Sequence, residues 1–169
     1  MLRELHDELG IPEDYGRNGG PPAFDEALDL VEIGPNLVGR AQRLTPAAAA
    51  SWEAMGEAAK ADGVALMIVS GFRSVDYQAR LIRKKINAGQ EIEAILKVNA
   101  APGYSEHHSG LAVDIATPGS RPLTEEFETT DAFDWLSRNA GRFGFSMTYA
   151  RDNPWGFVYE PWHWSIHKA

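Results

Sequence analysis

The chain has 169 residues, enough for one domain that buries roughly two-thirds of its unfolded surface. Its formal net charge of -8 argues against nucleic acid, which demands clustered Lys and Arg, and against a direct electrostatic grip on polyanionic polymers. The absence of Cys removes disulfides, thiolate metal sites and Cys nucleophiles, so any metal site must be built from carboxylates and from His6, His107, His108, His163 or His167.

The first residues, Met1 to Gly10, lack a basic stretch followed by an apolar run, so the expected compartment is the cytoplasm, or the periplasm if the N-terminus is processed. No stretch approaches the ~20 apolar residues of a membrane span. Residues 1–36 are punctuated by Pro12, Gly16, Gly19, Gly20, Pro21, Pro22, Gly34 and Pro35. They are expected to wrap irregularly over the core, with short helical turns at Leu2–Leu9 and Asp25–Val31. This places an N-terminal wrap over residues 1–40 and the compact domain over 41–169.

Thr45-Pro46 opens a helix, with Thr at the N-cap and Pro at the first helical position, and Asp62-Gly63 ends it. The apolar run Val64–Val69 reads as a central strand buried on both faces. Ser74 caps a second helix that runs to about Asn87, and Glu91–Val98 gives a short third one. Strands are expected at Gly110–Ile115, Gly144–Tyr149, Phe157–Tyr159 and Trp162–Ile166, with a helix over Asp131–Arg142. Helices early and strands late indicate a small α+β domain, a mainly antiparallel sheet with helices packed on one side.

Two segments carry chemistry. In Gly110–Asp114, strand alternation puts Gly110, Ala112 and Asp114 on one face and Leu111, Val113 and Ile115 on the other. Asp114 thus projects beside small residues that leave room for a metal and a substrate. His107 and His108 lie just before the strand, and spacing alone leaves them interchangeable as partners. In Tyr159–Trp164, Glu160 and His163 would fall on opposite faces of a straight strand, but Pro161 allows a kink that brings them into one cavity. Two His and one carboxylate with an open fourth position suit catalytic zinc, and a spare carboxylate suits a general base. Trp162 and Trp164 beside it would dry the site and raise that carboxylate's pKa. His167 follows His163 at helical spacing but lies near the chain end, where fraying is common, and is read as a decoy. His6 is read as a surface residue.

The pattern Ser105-x-His107-x-x-Gly110-x-Ala112-x-Asp114, then Glu160-x-Trp162-His163, resembles the VanY-type zinc D-alanyl-D-alanine carboxypeptidases of the LAS group. Ser70-Gly71-Phe72-Arg73-Ser74 with Gln78 resembles the upstream block of that family. The resemblance covers about residues 45–167. It implies one zinc ion on His107, Asp114 and His163, with Glu160 as general base and then acid. It implies that Arg73 stabilises an oxyanion or holds a substrate carboxylate. Ser105 and Gln78 would contact the substrate's polar termini, with Trp162 beside them. The implied substrates are peptidoglycan stem peptides or soluble muropeptides ending in D-Ala, cut in the DD or the LD sense by a monomer that binds neither nucleic acid nor membrane. The rival readings are an endopeptidase that cuts inside the stem peptide and a non-catalytic muropeptide-binding module.

Overall fold

The computed structural model describes residues 1–167. Helix α1 spans Leu2–Leu9 and stops at Gly10, where a φ of 72° favours glycine. His6 is not on the surface: it is buried, and its Nε2–H donates to the Pro102 carbonyl at 2.7 Å. Tyr15 and Tyr104 pack their rings against it, so this histidine ties α1 to the loop before the site.

Residues 25–30 do not form the expected helical turn. Tertiary backbone bonds hold the segment instead: Phe24 N–H, just before it, donates to Gly103 O and Ala27 N–H to His108 O, both at 2.8 Å. A hairpin then follows that the sequence did not announce. Strands β1 (Val31–Pro35) and β2 (Ala41–Leu44) pair antiparallel, with a register shift between Glu32 and Gly34. Asn36 fixes the turn, its Oδ1 accepting from Val38 N–H at 3.1 Å and Arg40 N–H at 3.0 Å.

Helix α2 covers Pro46–Ala61, as the Thr45-Pro46 and Asp62-Gly63 boundaries predict, although the Thr45 side chain makes no capping bond. Strand β3 (Met67–Ser70) begins later than expected. It is also an edge strand rather than a central one, because the sheet order is β3-β4-β6-β5. Helix α3 covers Val75–Asn87, and Ser74 Oγ caps it by accepting from Tyr77 N–H at 3.0 Å. Helix α4 is a single turn, Ile92–Ile95.

The centre of the sheet is β4 (Ala112–Ala116), every residue of which is buried. It pairs antiparallel with β3 and with β6 (His163–Ile166), which in turn pairs with β5 (Phe145–Met147). Helix α5 (Asp131–Asn139) continues into a 3-10 turn at Ala140–Phe143. Residues 157–159 are not the expected strand; Val158 N–H donates to Lys97 O at 3.0 Å, outside the sheet. Helices α2 and α5 share one core with Val113, Ile115, Phe145 and Trp164 of the sheet. Helices α1, α3 and α4 gather around a second cluster that includes Leu9, Ile82 and Ile95. Among the described residues, no helix is long and apolar enough to cross a membrane.

Candidate metal centre

The middle of the sheet places the acidic and imidazole groups. Asp114 and His163 are directly paired residues of β4 and β6, and Ser70 of β3 faces Asp114 from the other side. His107 comes from a 3-10 turn, Glu106–Ser109, that leads into β4. Gly110 ends that turn with a φ of 67° and is not part of the strand, contrary to the expected shared face with Ala112. A Cβ there would stand 3.0 Å from Thr45 Cγ2 and 3.2 Å from Ala27 Cβ. Gly110 is thus demanded by backbone conformation and by close packing, not by room for a substrate.

His107, Asp114 and His163 are all buried, and their ligand atoms lie within 4.8 Å of one another. The tautomer of His107 is fixed: its Nδ1–H donates to Gly71 O at 2.7 Å. That leaves a lone pair on Nε2, 3.2 Å from Asp114 Oδ1, with no hydrogen-bond partner. An acceptor facing a carboxylate in a buried space suits a cation held between them. His163 is held from both ends, Nδ1 at 3.0 Å from Asp114 Oδ1 and Nε2 at 3.1 Å from Glu106 Oε1. With Nε2–H given to Glu106, Nδ1 is the nitrogen turned toward Asp114 and His107. A carboxylate behind a ligand imidazole orients it and raises its basicity. The three residues therefore fit a metal ion.

The electrostatics agree. Burial, then the Arg73 charge, push His107 down to about 4, so it is neutral and ready to ligate. Burial alone would lower His163, but hydrogen bonds to Asp114 and Glu106 outweigh it and carry it up to about 10. Burial would raise Asp114, yet His107 and His163 hold it well below the usual carboxylate range. In the metal-free chain a proton on His163 supplies the positive charge that this buried acidic cluster requires.

Glu160 reaches the same place by a turn rather than a strand. His163 N–H donates to Glu160 O at 3.2 Å, and Trp164 Nε1–H closes the turn on Pro161 O at 2.9 Å. Glu160 Oε2 stands 3.9 Å from His163 Nδ1. Burial pushes its carboxyl up to about 7, partly opposed by His163. A small cavity is lined by Glu160, Arg73, Gln78, Ser105, His107 and His163. Arg73 is tied to the imidazole turn through its backbone: its N–H donates to His107 O at 3.1 Å and its carbonyl accepts from His108 Nδ1 at 2.6 Å. Its Nε is buried and unpartnered. Gln78 donates Nε2–H to Ala100 O at 2.8 Å, and its buried Oε1 is without a partner. Ser105 Oγ caps the turn by accepting from His107 N–H at 3.3 Å.

The remaining candidates fall elsewhere. Trp162 and Trp164 pack in the core and do not line this cavity. His108 is buried with both nitrogens committed, since Nε2 accepts from Gly103 N–H at 3.1 Å. This distinguishes it from His107, a distinction that spacing could not make. His167 lies behind the site, with Nε2 3.2 Å from Glu106 Oε2.

Sequence reasoning missed Glu106 and Tyr149. Glu106 is buried and joins His163 to His167. Its signal was a charged residue directly beside His107, just ahead of the buried strand. Tyr149 packs at a tilt of 42° against His163, with ring centroids 4.6 Å apart. Burial and the surrounding carboxylates hold its phenol protonated, and the residue lines the cavity. Glu106→Gln is expected to weaken zinc affinity by ~10–100-fold, the usual effect of losing a partner behind a metal ligand, as read by competition with a chromogenic chelator. Gly71→Ala is expected to destabilise by about 1–3 kcal/mol in chemical denaturation, because the new Cβ would meet Arg43 O at 2.7 Å and displace the carbonyl that orients His107.

A mixed α+β fold around a buried His-Asp-His group suits a single-metal centre with an open position. The VanY family, described as D-alanyl-D-alanine carboxypeptidase, matches residues 41–168, and the chain belongs to that family. YodJ of Bacillus subtilis is 37% identical over 156 residues, covering 90% of this chain and 57% of YodJ. Among solved structures, the LD-carboxypeptidase LdcB superposes with a TM-score of 0.74 at 32% identity, covering 86% of this chain and 71% of that one. A vancomycin-resistance D,D-pentapeptidase, VanY, in complex with Zn(II), gives a TM-score of 0.64 at 28% identity, covering 86% of this chain and 82% of that one. The chain spans about half the length of the curated relatives it matches.

Proposed function

We propose that this chain is a zinc-dependent carboxypeptidase that removes the terminal D-alanine from peptidoglycan stem peptides, in the DD or the LD sense. The observation that carries this reading is a buried His107, Asp114 and His163 group whose two imidazoles line the same cavity as Glu160 and Arg73. A zinc ion held there would polarise the scissile carbonyl and lower the pKa of the attacking water. Glu160 accepts the proton of that water and returns it to the leaving amine, and a carboxyl carried toward neutrality by burial is matched to both tasks. Arg73 offers a guanidinium fork to the developing oxyanion or to the peptide's C-terminal carboxylate. The unpartnered Gln78 Oε1 and the Ser105 hydroxyl contact the substrate's polar termini.

Support for the substrate comes from the family, from VanYB, solved in complex with D-alanine-D-alanine, and from the LD-carboxypeptidase LdcB, whose structure concerns peptidoglycan recognition. Small soluble muropeptides in the cytoplasm are the proposed targets of a monomeric enzyme; recovery of the native protein solely from the periplasm would contradict that compartment. Defined tri-, tetra- and pentapeptides test the reaction. Free D-Ala released from the pentapeptide marks a DD-carboxypeptidase, and D-Ala released from the tetrapeptide marks an LD-carboxypeptidase. Longer fragments would instead mark an endopeptidase, and binding without cleavage a non-catalytic module.

A further inference from the structure

The net charge of -8 conceals a strong segregation of charge. A trough of about 620 Å³ lies between the β1–β2 hairpin and α3, and it reaches the metal centre at Arg73 and Asp114. Arg40, Arg43, Arg73, Arg80 and Lys85 all line it, and the single carboxylate among the lining residues is Asp114. Elsewhere Arg3, Arg83, Arg121, Arg138 and Arg151 pair with carboxylates, while among the described residues Arg17, Arg142, Lys60, Lys84 and Lys97 do not. None of the five trough cations forms an ion pair among the described residues.

Aromatic faces or a neutral amide hold three of these side chains instead. The Arg43 guanidinium lies 5.3 Å from the Phe72 ring centroid and that of Arg80 lies 5.7 Å from the Tyr77 centroid. A guanidinium placed on a ring keeps its N–H donors for another partner. Lys85 Nζ donates to Asn99 Oδ1 at 2.5 Å, and Arg40 sits on the turn that Asn36 fixes. Arg73 brings its buried, unpartnered Nε to the end of the trough where the site begins. Arg40, Arg43 and Arg80 are exposed toward solvent, and the carboxylates near this end of the trough, Asp114 and Glu160, belong to the metal centre.

We propose that this trough is a second binding site, which takes a multiply charged anionic portion of the substrate molecule, phosphate or polycarboxylate, while the scissile peptide end occupies the metal centre. The proposal rests on the carboxypeptidase reading for what lies at that centre. It also corrects the inference from net charge: an acidic chain can present a local grip on an anion.

The test uses zinc-loaded protein and D-Ala-D-Ala-terminated pentapeptides that differ only in their N-terminal cap: acetyl, phosphoseryl or citryl. At low salt we expect kcat/KM for a charged cap to exceed that for the acetyl cap by ~10-fold or more, mainly through KM, the combined effect of several charge-assisted hydrogen bonds. This preference falls toward unity in high salt, and also when Arg40, Arg43 and Arg80 are all changed to Gln or all to Glu. A gain with both charged caps assigns the site to anions in general, and a gain with one names its source. Equal rates for the three caps at low salt would overturn the proposal, as would a cap preference that the arginine variants leave intact. Calorimetric binding of the same peptides to zinc-loaded Glu160→Gln keeps the two readings apart. Cap-dependent affinity without turnover in the wild type would sink the carboxypeptidase reading and leave the trough standing.

Discussion

Glu160→Ala is expected to keep one zinc per chain and to lose at least ~10²-fold in kcat, the low end for removing a general base. The carboxylate lines the same cavity as His107 and His163, 3.9 Å from His163 Nδ1, and lies outside the His107, Asp114 and His163 group. The loss should fall on kcat rather than KM, because proton transfer is needed in the transition state and not to bind the peptide. The loss is not a folding defect. A carboxyl that burial carries up to about 7 costs the metal-free fold stability once it ionises. Its contribution is favourable below the ordinary carboxylate range and is lost as pH rises through about 7. Glu160→Gln removes that ionisation, so the metal-free variant should melt at or above the wild-type temperature at pH 8 while remaining inactive. Activity of the wild type should rise with pH through the acid limb as Glu160 becomes a base. Zinc beside it would move that limb below the position set by the chain alone.

Asp114→Asn should abolish stable zinc binding, with a loss larger than the ~10–100-fold that outer partners supply. The change is nearly isosteric, so the β4–β6 pairing should persist and the loss should read as chemistry rather than collapse. Asp114 is the anionic member of the three-residue group and the partner of both imidazoles. Zinc must also displace the proton held by His163, so binding weakens as pH is lowered. The metal-free chain shows the complementary effect. A histidine raised from 6.5 to about 10 stabilises the fold fully below pH about 6.5 and progressively less as pH approaches 10. Asp114→Asn should shrink that dependence. Equilibrium dialysis for zinc and melting curves from pH 5 to 10 check both statements.

Much of this was legible because the relevant chemistry is local. Thr45-Pro46 and Asp62-Gly63 bound α2 through backbone rules that need no tertiary information. Ser74 caps α3 for the same reason. Asp114 and His163 each stood out as a polar residue in a buried strand. The β1–β2 hairpin was hidden because its strands are short, carry Gly34 and Pro35, and lack clean alternation. Residues 157–159 have strand composition, but their backbone bonds to the loop after α4, which no local pattern encodes. The turn at Glu106–Ser109 likewise depends on distant partners. Gly71 orients His107 from 36 residues upstream, and Glu106 orients His163 from 57 residues away. Spacing could not choose between His107 and His108, because that choice depends on which nitrogen remains free after Gly71, Gly103 and Arg73 have taken theirs.

The central claim is that His107, Asp114 and His163 hold the catalytic zinc. X-ray absorption at the zinc edge tests it most directly, on the zinc-loaded wild type and on His107→Ala supplied with excess zinc. The wild type should show two imidazoles and a carboxylate oxygen at about 2.0–2.2 Å. In His107→Ala one imidazole should disappear from the shell, and D-Ala release should stop. An unchanged imidazole count in that variant would place the metal elsewhere and contradict the account.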